Sequence, residues 1–435
     1  MARAESFDVA DLSLAPLGSE QAEWAARRMP VLRRIRERFA REQPLKDVGI
    51  GASLHVTPET ANLLGTLAAG GAELAVCASN PLSTNDEVAA FLVETEAIAT
   101  FAVRGEDASR YLAHVDAVLD RRPQVTVDDG CDLVTRLHLA RPDQAANVIG
   151  GTEDTSTGAI RLRALSSAGS LLYPVMALGS ASTRALFDHR HGTGQSTVDG
   201  IMRATNVLFA GATVVVAGYG SCGRGVAERA RGLGAVVLVT EVDPLRALQA
   251  MTDGFRVVTM AEAAPLGEVF VTATGNRDVL SREHFAVMRD GAILANAGQF
   301  DAEIDVPGLL LMSRSPRKRK GDEASSKGRK LLRPNVEEVV LADGRRLVLL
   351  AEGRLVNLAI ANGHPPQVMD LSFAVQALAC EWLVAHAGEL APSVHELPIE
   401  LDEEIAKLKL QAMGVTIDGL SPAQRNYLAS WTGSF

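Results

Sequence analysis

Residues 20–41, EQAEWAARRMPVLRRIRERFAR, place apolar side chains at helical spacing and break the rhythm near Pro30, which predicts two amphipathic helices. From residue 48 the pattern changes. Short β-like runs, VGIGASLHV and AELAVCAS, alternate with helical ones, TPETANLLGTLAAGG and NDEVAAFLVETEAIATFAV, the rhythm of a parallel sheet with crossover helices. It restarts after residue 212 as ATVVVAGYG, a helix from 223 to about 233, AVVLVTEVD, a helix near 244–252, EVFVTATG and GAILANAG. This second series predicts a doubly wound domain in its own right. Between the two lies STRALFDHRHGTGQSTVDGIMRATN, which has few long apolar runs and reads as a hinge leading into a helix. A hinge there sets STRALFDH at the mouth of an interdomain cleft, where ligands tend to sit.

One segment breaks the pattern. SRSPRKRKGDEASSKGRK, residues 313–330, holds eight basic residues and almost nothing apolar, and reads as a solvated loop or as a docking patch for an acidic partner. The chain of 435 residues, 47% apolar and 22% charged, is long enough for two or three domains with their own cores. Its 53 acidic against 43 basic side chains give a net charge of −10, which argues against nucleic acid and anionic membranes as partners. Cys77, Cys131, Cys222 and Cys380 lie far apart with no C-x-x-C pair, so neither a zinc site nor a disulfide framework is expected. The start, MARAESFDVADLSLAPLG, has acids where a signal peptide needs bases, and no run of eighteen apolar residues follows; the reading is a cytoplasmic protein.

The strongest local motif is VVVAGYGSCGRG. It sets Gly218, Gly220 and Gly223 in G-x-G-x-x-G order between a β-branched run and a helical segment. The first glycine permits the tight turn, the second lets a pyrophosphate approach the backbone, and the third lets helix and strand pack closely. About twenty residues on, Glu241 is placed to accept hydrogen bonds from a ribose diol, and an acid there favours NAD over NADP.

In STRALFDH, Arg184 stays charged and is a poor base, which leaves Asp188 and His189 as groups able to take a proton. The phosphate loop, Glu241, TATGNRDVL and LLAEGRLVNLAIANGHP together resemble the S-adenosylhomocysteine hydrolase (adenosylhomocysteinase) family, and the chain is identified as a divergent member. MPVLRRIRERFAREQPLKDVGIGASLHVTPETA, CASNPLSTNDEV, VDDGCDLVT and GTEDTSTGAI extend that resemblance over almost the full length. The resemblance implies an α/β protein of two doubly wound Rossmann-like domains with a small C-terminal segment. The expected parts are a substrate domain at 1–181, an NAD domain at 195–362, the rest of the substrate domain at 363–413 and an oligomer-contact segment at 414–435. It also implies a homo-oligomer, dimer or tetramer, an adenine nucleoside as substrate, NAD as cofactor and no metal.

The family's chemistry implies roles for particular residues. His55 in LHVT falls on the acid for the 5′ leaving group, with Thr57 and Glu59 on adenine contacts, and Asp129 in VDDGCDL on the base for the 4′-hydrogen. Asp154 replaces a glutamate that touches the ribose and is shorter by one methylene. Thr155, Ser156 and Thr157 match hydroxyl residues at the nicotinamide end, while Thr274, Asn357 and His364 also match site positions. Arg184, Asp188 and His189 stand where the family has lysine, aspartate and asparagine, so His189 is expected either to replace the lysine as base or to repeat the asparagine's hydrogen bonds to the cofactor. Gln299 stands for a histidine and can hold a water but not shuttle a proton. YLASWTGSF stops before the family's last basic and tyrosine-containing residues, and NAD is expected to be held more loosely as a result.

Because the groups handling protons at the 3′ and 5′ ends differ while those for the 4′ carbon and the adenine remain, the leading expectation is an eliminase. It would be a dehydratase forming a 4′,5′-unsaturated nucleoside in nucleoside-antibiotic biosynthesis. The alternatives are an S-adenosyl-L-homocysteine hydrolase and an inactive NAD- or adenosine-binding regulator.

Overall fold

The computed structural model describes residues 6–313 and 329–431. Its strands fall into two eight-stranded sheets. In the first the order is Asp8–Val9, Ala99–Ala102, Glu73–Ala78, Gly49–Leu54, Val125–Asp128, Gly150–Glu153, Val175–Ala177 and Val394–Glu396, with every pairing parallel. The apolar run of Glu73–Ala78 is explained by burial on both sides: Leu74, Val76 and Ala78 enter one core cluster while Ala75 and Cys77 enter another. Strand order reverses between Gly49–Leu54 and Val125–Asp128, which opens a crevice beyond their C-terminal ends.

The second sheet runs Arg256–Val257, Val236–Thr240, Thr213–Ala217, Val269–Thr272, Ile293–Asn296, Arg346–Leu350, Val336–Val340 and Arg329–Arg333. Its switch point lies between Thr213–Ala217 and Val269–Thr272. Val214 and Val216 again face one core while Val215 faces the other. The last two pairings are antiparallel, so this sheet is mixed. That hairpin overlaps the basic segment: Arg329 and Lys330 are strand residues, and 314–328 lie outside the described residues. Charged side chains on an edge strand hid it from a search for apolar runs.

The helices near Pro30 are Ala15–Ala26 and Pro30–Glu42. The second is capped from far away, because Asp370 Oδ1 accepts the Val31 and Leu32 N–H groups at 3.0 and 2.9 Å. Asp370 belongs to Pro366–Ala385, a helix long and apolar enough to cross a bilayer, of which 67% of the apolar window is buried against the first sheet's core. The expected hinge is helical. Arg184–Gly192 is a π-helix that runs into the α-helix Thr193–Thr205. Its buried positions are Arg184, Asp188 and Gly192, and Leu186 and Phe187 point outward. The inward stripe is polar, so hydrophobic periodicity had nothing to register.

Candidate active site

Four parallel strands of the first sheet deliver their next residue to one place: His55, Ser79, Asp129 and Asp154 each follow a strand's last position. His55 Nδ1 lies 2.7 Å from Ser83 Oγ and 3.1 Å from Ser79 Oγ. Both hydroxyls donate elsewhere, Ser83 to the Asn80 carbonyl and Ser79 to Asp129, so each oxygen is left to accept and Nδ1 carries a hydrogen. His55 Nε2 then stands 3.0 Å from Asp129 Oδ2, a separation that calls for a proton between them. Burial pushes the His55 imidazole down to about 4 and the Asp129 carboxyl up to about 6.

A buried polar chain begins beside them. Arg184 grips both carboxylate oxygens of Asp154 and, through Nη2, Asp188 Oδ2 at 2.7 Å. Ser372 donates to the same Asp188 oxygen at 2.7 Å, and His364 Nδ1 approaches the other at 2.6 Å. His364 Nε2 meets Thr193 Oγ1 at 3.1 Å, and Cys222 Sγ lies 3.7 Å from that hydroxyl. Burial raises the Asp188 carboxyl, but His364 and Arg184 outweigh it and hold Asp188 well below the usual range. Arg184 Nε is buried without a hydrogen-bond partner among the described residues. Burial pushes His189 down to about 4, and no hydrogen bond from the described residues orients its ring.

Across a cavity of about 450 Å³ stands the second sheet's switch point. Gly218 follows Thr213–Ala217 at φ +95°, and a Cβ there would come within 2.7 Å of the Ala273 carbonyl oxygen. A Cβ on Gly223 would lie 1.9 Å from the Gly218 oxygen, so the helix Ser221–Gly232 reaches the strand only without a side chain. Thr274 donates to Glu303 through its N–H and its hydroxyl, at 2.9 and 2.6 Å. Asn357 Oδ1 is buried with no hydrogen-bond partner among the described residues, an acceptor suited to an amide ligand. Bare backbone at a helix start, with an orphaned acceptor deeper in, fits a dinucleotide with a carboxamide at one end.

Of the residues expected from the sequence, His55, Thr57, Glu59, Asp129, Asp154, Thr155, Ser156, Thr157, Arg184, Asp188, His189, Gly220, Thr274, Gln299, Asn357 and His364 line this one cavity. Thr57 and Thr155 also cap the helices Pro58–Ala69 and Ser156–Ser167, and Glu59, on a first turn, is buried. Gly218 and Gly223 lie behind the lining and shape the loop. Glu241 stands apart from it: its carboxylate accepts the N–H groups of Tyr219, Val242 and Asp243 at 2.6, 2.7 and 3.0 Å, bracing the glycine loop. Arg246, Thr193, Cys222, Ser79, Ser83 and Glu303 were not anticipated. The first three line the cavity, and the others support groups that do. Ser79 and Ser83 sit in CASNPLSTN directly after a strand, the one signal that marks them.

Sequence profiles of S-adenosyl-L-homocysteine hydrolase and of its NAD-binding domain match residues 6–145 and 189–363. An adenosylhomocysteinase of Aquifex aeolicus is 55% identical over 425 residues, covering 98% of this chain and 99% of that protein. One from Thermosynechococcus vestitus is 53% identical, covering 98% and 96%. An S-inosyl-L-homocysteine hydrolase of Methanopyrus kandleri is 50% identical, covering 98% and 97%.

Proposed function

The chain belongs to the S-adenosyl-L-homocysteine hydrolase family as an NAD-dependent enzyme, and from that premise we propose that it cleaves S-adenosyl-L-homocysteine with water to adenosine and homocysteine. The comparisons give no support to the dehydratase expectation and favour this alternative; identities of 50–55% over nearly the whole length do not mark a remote relative. The observation that carries the reading is the facing of two switch points across one cavity, with His55, Asp129 and Asp154 on one side and the glycine loop on the other.

NAD, when bound, would supply reversible hydride acceptance at the sugar's 3′ carbon, the chemistry that acidifies the neighbouring C4′–H bond. Gly218, Gly220 and Gly223 would hold its pyrophosphate, with Asn357, Thr274 and the hydroxyls at 155–157 near its nicotinamide end. Asp129, as carboxylate, removes the 4′-hydrogen. His55, sharing a proton with Asp129, delivers one to the departing sulfur, and the same pair reverses its duties when water adds. Arg184 stays charged, pairs with Asp154 and Asp188, and keeps one buried N–H for a sugar oxygen. Glu59 and Thr57 face the base, where a carboxylate accepts from adenine's exocyclic amine but repels hypoxanthine's oxygen. Gln299 holds the water.

The test is product analysis with purified enzyme and S-adenosyl-L-homocysteine. Homocysteine appearing with adenosine in equal amounts supports the reading. A nucleoside lighter by one water from adenosine itself would return the dehydratase.

A further inference from the structure

We propose that His364, set by Asp188 and packed against Gly192, is the base that takes the proton of the substrate's 3′-hydroxyl. The inference deepens the functional reading above and rests on it. Oxidising an alcohol to a ketone releases a proton along with the hydride, so a neutral acceptor must stand at that hydroxyl. Arg184 cannot be that acceptor, because a guanidinium has five donors and no lone pair to offer. Asp188 is committed to Arg184, Ser372 and His364.

His364 has what the role needs. Its Nδ1 lies 2.6 Å from Asp188 Oδ1, an ion-pair contact in which the carboxylate draws the ring's hydrogen to Nδ1 and leaves the lone pair on Nε2. His364 and Thr193 both line the cavity, the Thr193 hydroxyl is the partner of Nε2 at 3.1 Å, and in the proposed role a sugar hydroxyl takes that partner's place. Gly192 backs the ring: a Cβ there would come within 2.8 Å of His364 Cγ, so the imidazole packs on bare backbone. Carboxylate, imidazole and hydroxyl thus stand in succession, with the carboxylate at one ring nitrogen and the hydroxyl at the other. His189, by contrast, lines the same cavity with no hydrogen bond from the described residues to its ring.

In the step assigned to His364, the 3′ O–H bond breaks with its proton going to Nε2. A C=O bond forms, and the hydrogen on C3′ leaves with its electron pair to NAD, the oxidant. On the return leg the imidazolium gives the proton back.

Two measurements test this. Nitrogen NMR of the NAD-free protein at mildly alkaline pH should show His364 as the Nδ1–H tautomer, and Asp188→Ala should mix the tautomers; an Nε2–H tautomer in the wild type overturns the assignment. Adenosine added to the NAD-loaded wild type should produce the absorbance of reduced nicotinamide. His364→Ala should slow this at least ~100-fold, added imidazole should restore it, and 4′-hydrogen exchange of supplied 3′-ketoadenosine should persist. Undiminished reduction in His364→Ala, or loss that imidazole does not repair, overturns the assignment alone. A wild type that never reduces its NAD with adenosine overturns the functional reading, and the role of His364 with it.

Discussion

At the first sheet's switch point the strands are followed by His55, Asp129 and, one strand over, Asp154; at the second they are followed by Gly218 and Ala273. Both crevices arise from the same reversal of strand order. One is filled with titratable side chains forced together by burial, while the other is made by leaving side chains out, since a Cβ on Gly223 has no room. The topology supplies a place for a ligand, and the residues at the strand ends decide whether that place moves protons or cradles a cofactor. The two crevices should accordingly fail in different ways.

The sharpest break is Asp129→Asn. It should lower homocysteine release roughly 100- to 10,000-fold while leaving NAD reduction by adenosine in place, read by single-turnover absorbance. If reduction fails as well, the proton-handling wall is not divided as described. Acid comes next. Burial raises Asp129 to about 6, so its carboxylate is protonated and lost as a base when pH falls through that value. Turnover should drop about tenfold per pH unit below the limb, whereas NAD retention on the glycine side should hold, because burial raises the loop's Tyr219 and Cys222 and neither titrates in acid.

Gly223→Ala probes the opposite wall. Overpacking should cost about 1–3 kcal/mol, or about tenfold or more in cofactor affinity, measured as NAD retained through purification. Retention unchanged would mean that the close approach of helix and strand is not needed for binding. The smallest effect is expected where the walls touch. Arg161 lies 4.1 Å over the Phe300 ring and donates to the Gly130 carbonyl at 3.2 Å, joining the helix Ser156–Ser167 to the loop that holds Gln299. Arg161→Ala should forfeit about 0.5–1 kcal/mol, visible as a severalfold rise in KM with kcat little changed.

Legibility in the sequence followed distance along the chain. The glycine loop was readable because its strand, turn and helix are contiguous, and the alternating runs gave both sheets because each strand carries its own apolar signature. The assignments of His55 and Asp129 needed the family resemblance, for nothing local says that residues 74 positions apart meet at 3.0 Å. The contact of Asp188 with His364 was out of reach for the same reason, and so was Glu303 beneath Thr274. Arg184–Gly192 read as a hinge because its buried stripe is arginine, aspartate and glycine. The edge hairpin was hidden by charge, and residues 432–435 of YLASWTGSF lie outside the described part of the chain.

The grip of Arg184 on Asp154 has a consequence for anyone altering this site. A short acid and a long base span this buried gap together, both oxygens of Asp154 meeting the two Nη atoms of Arg184, so the reach of each side chain is matched to that of the other. Asp154→Glu alone would crowd the two groups and Arg184→Lys alone would leave Asp154 short of its partner, whereas the paired exchange keeps their combined reach.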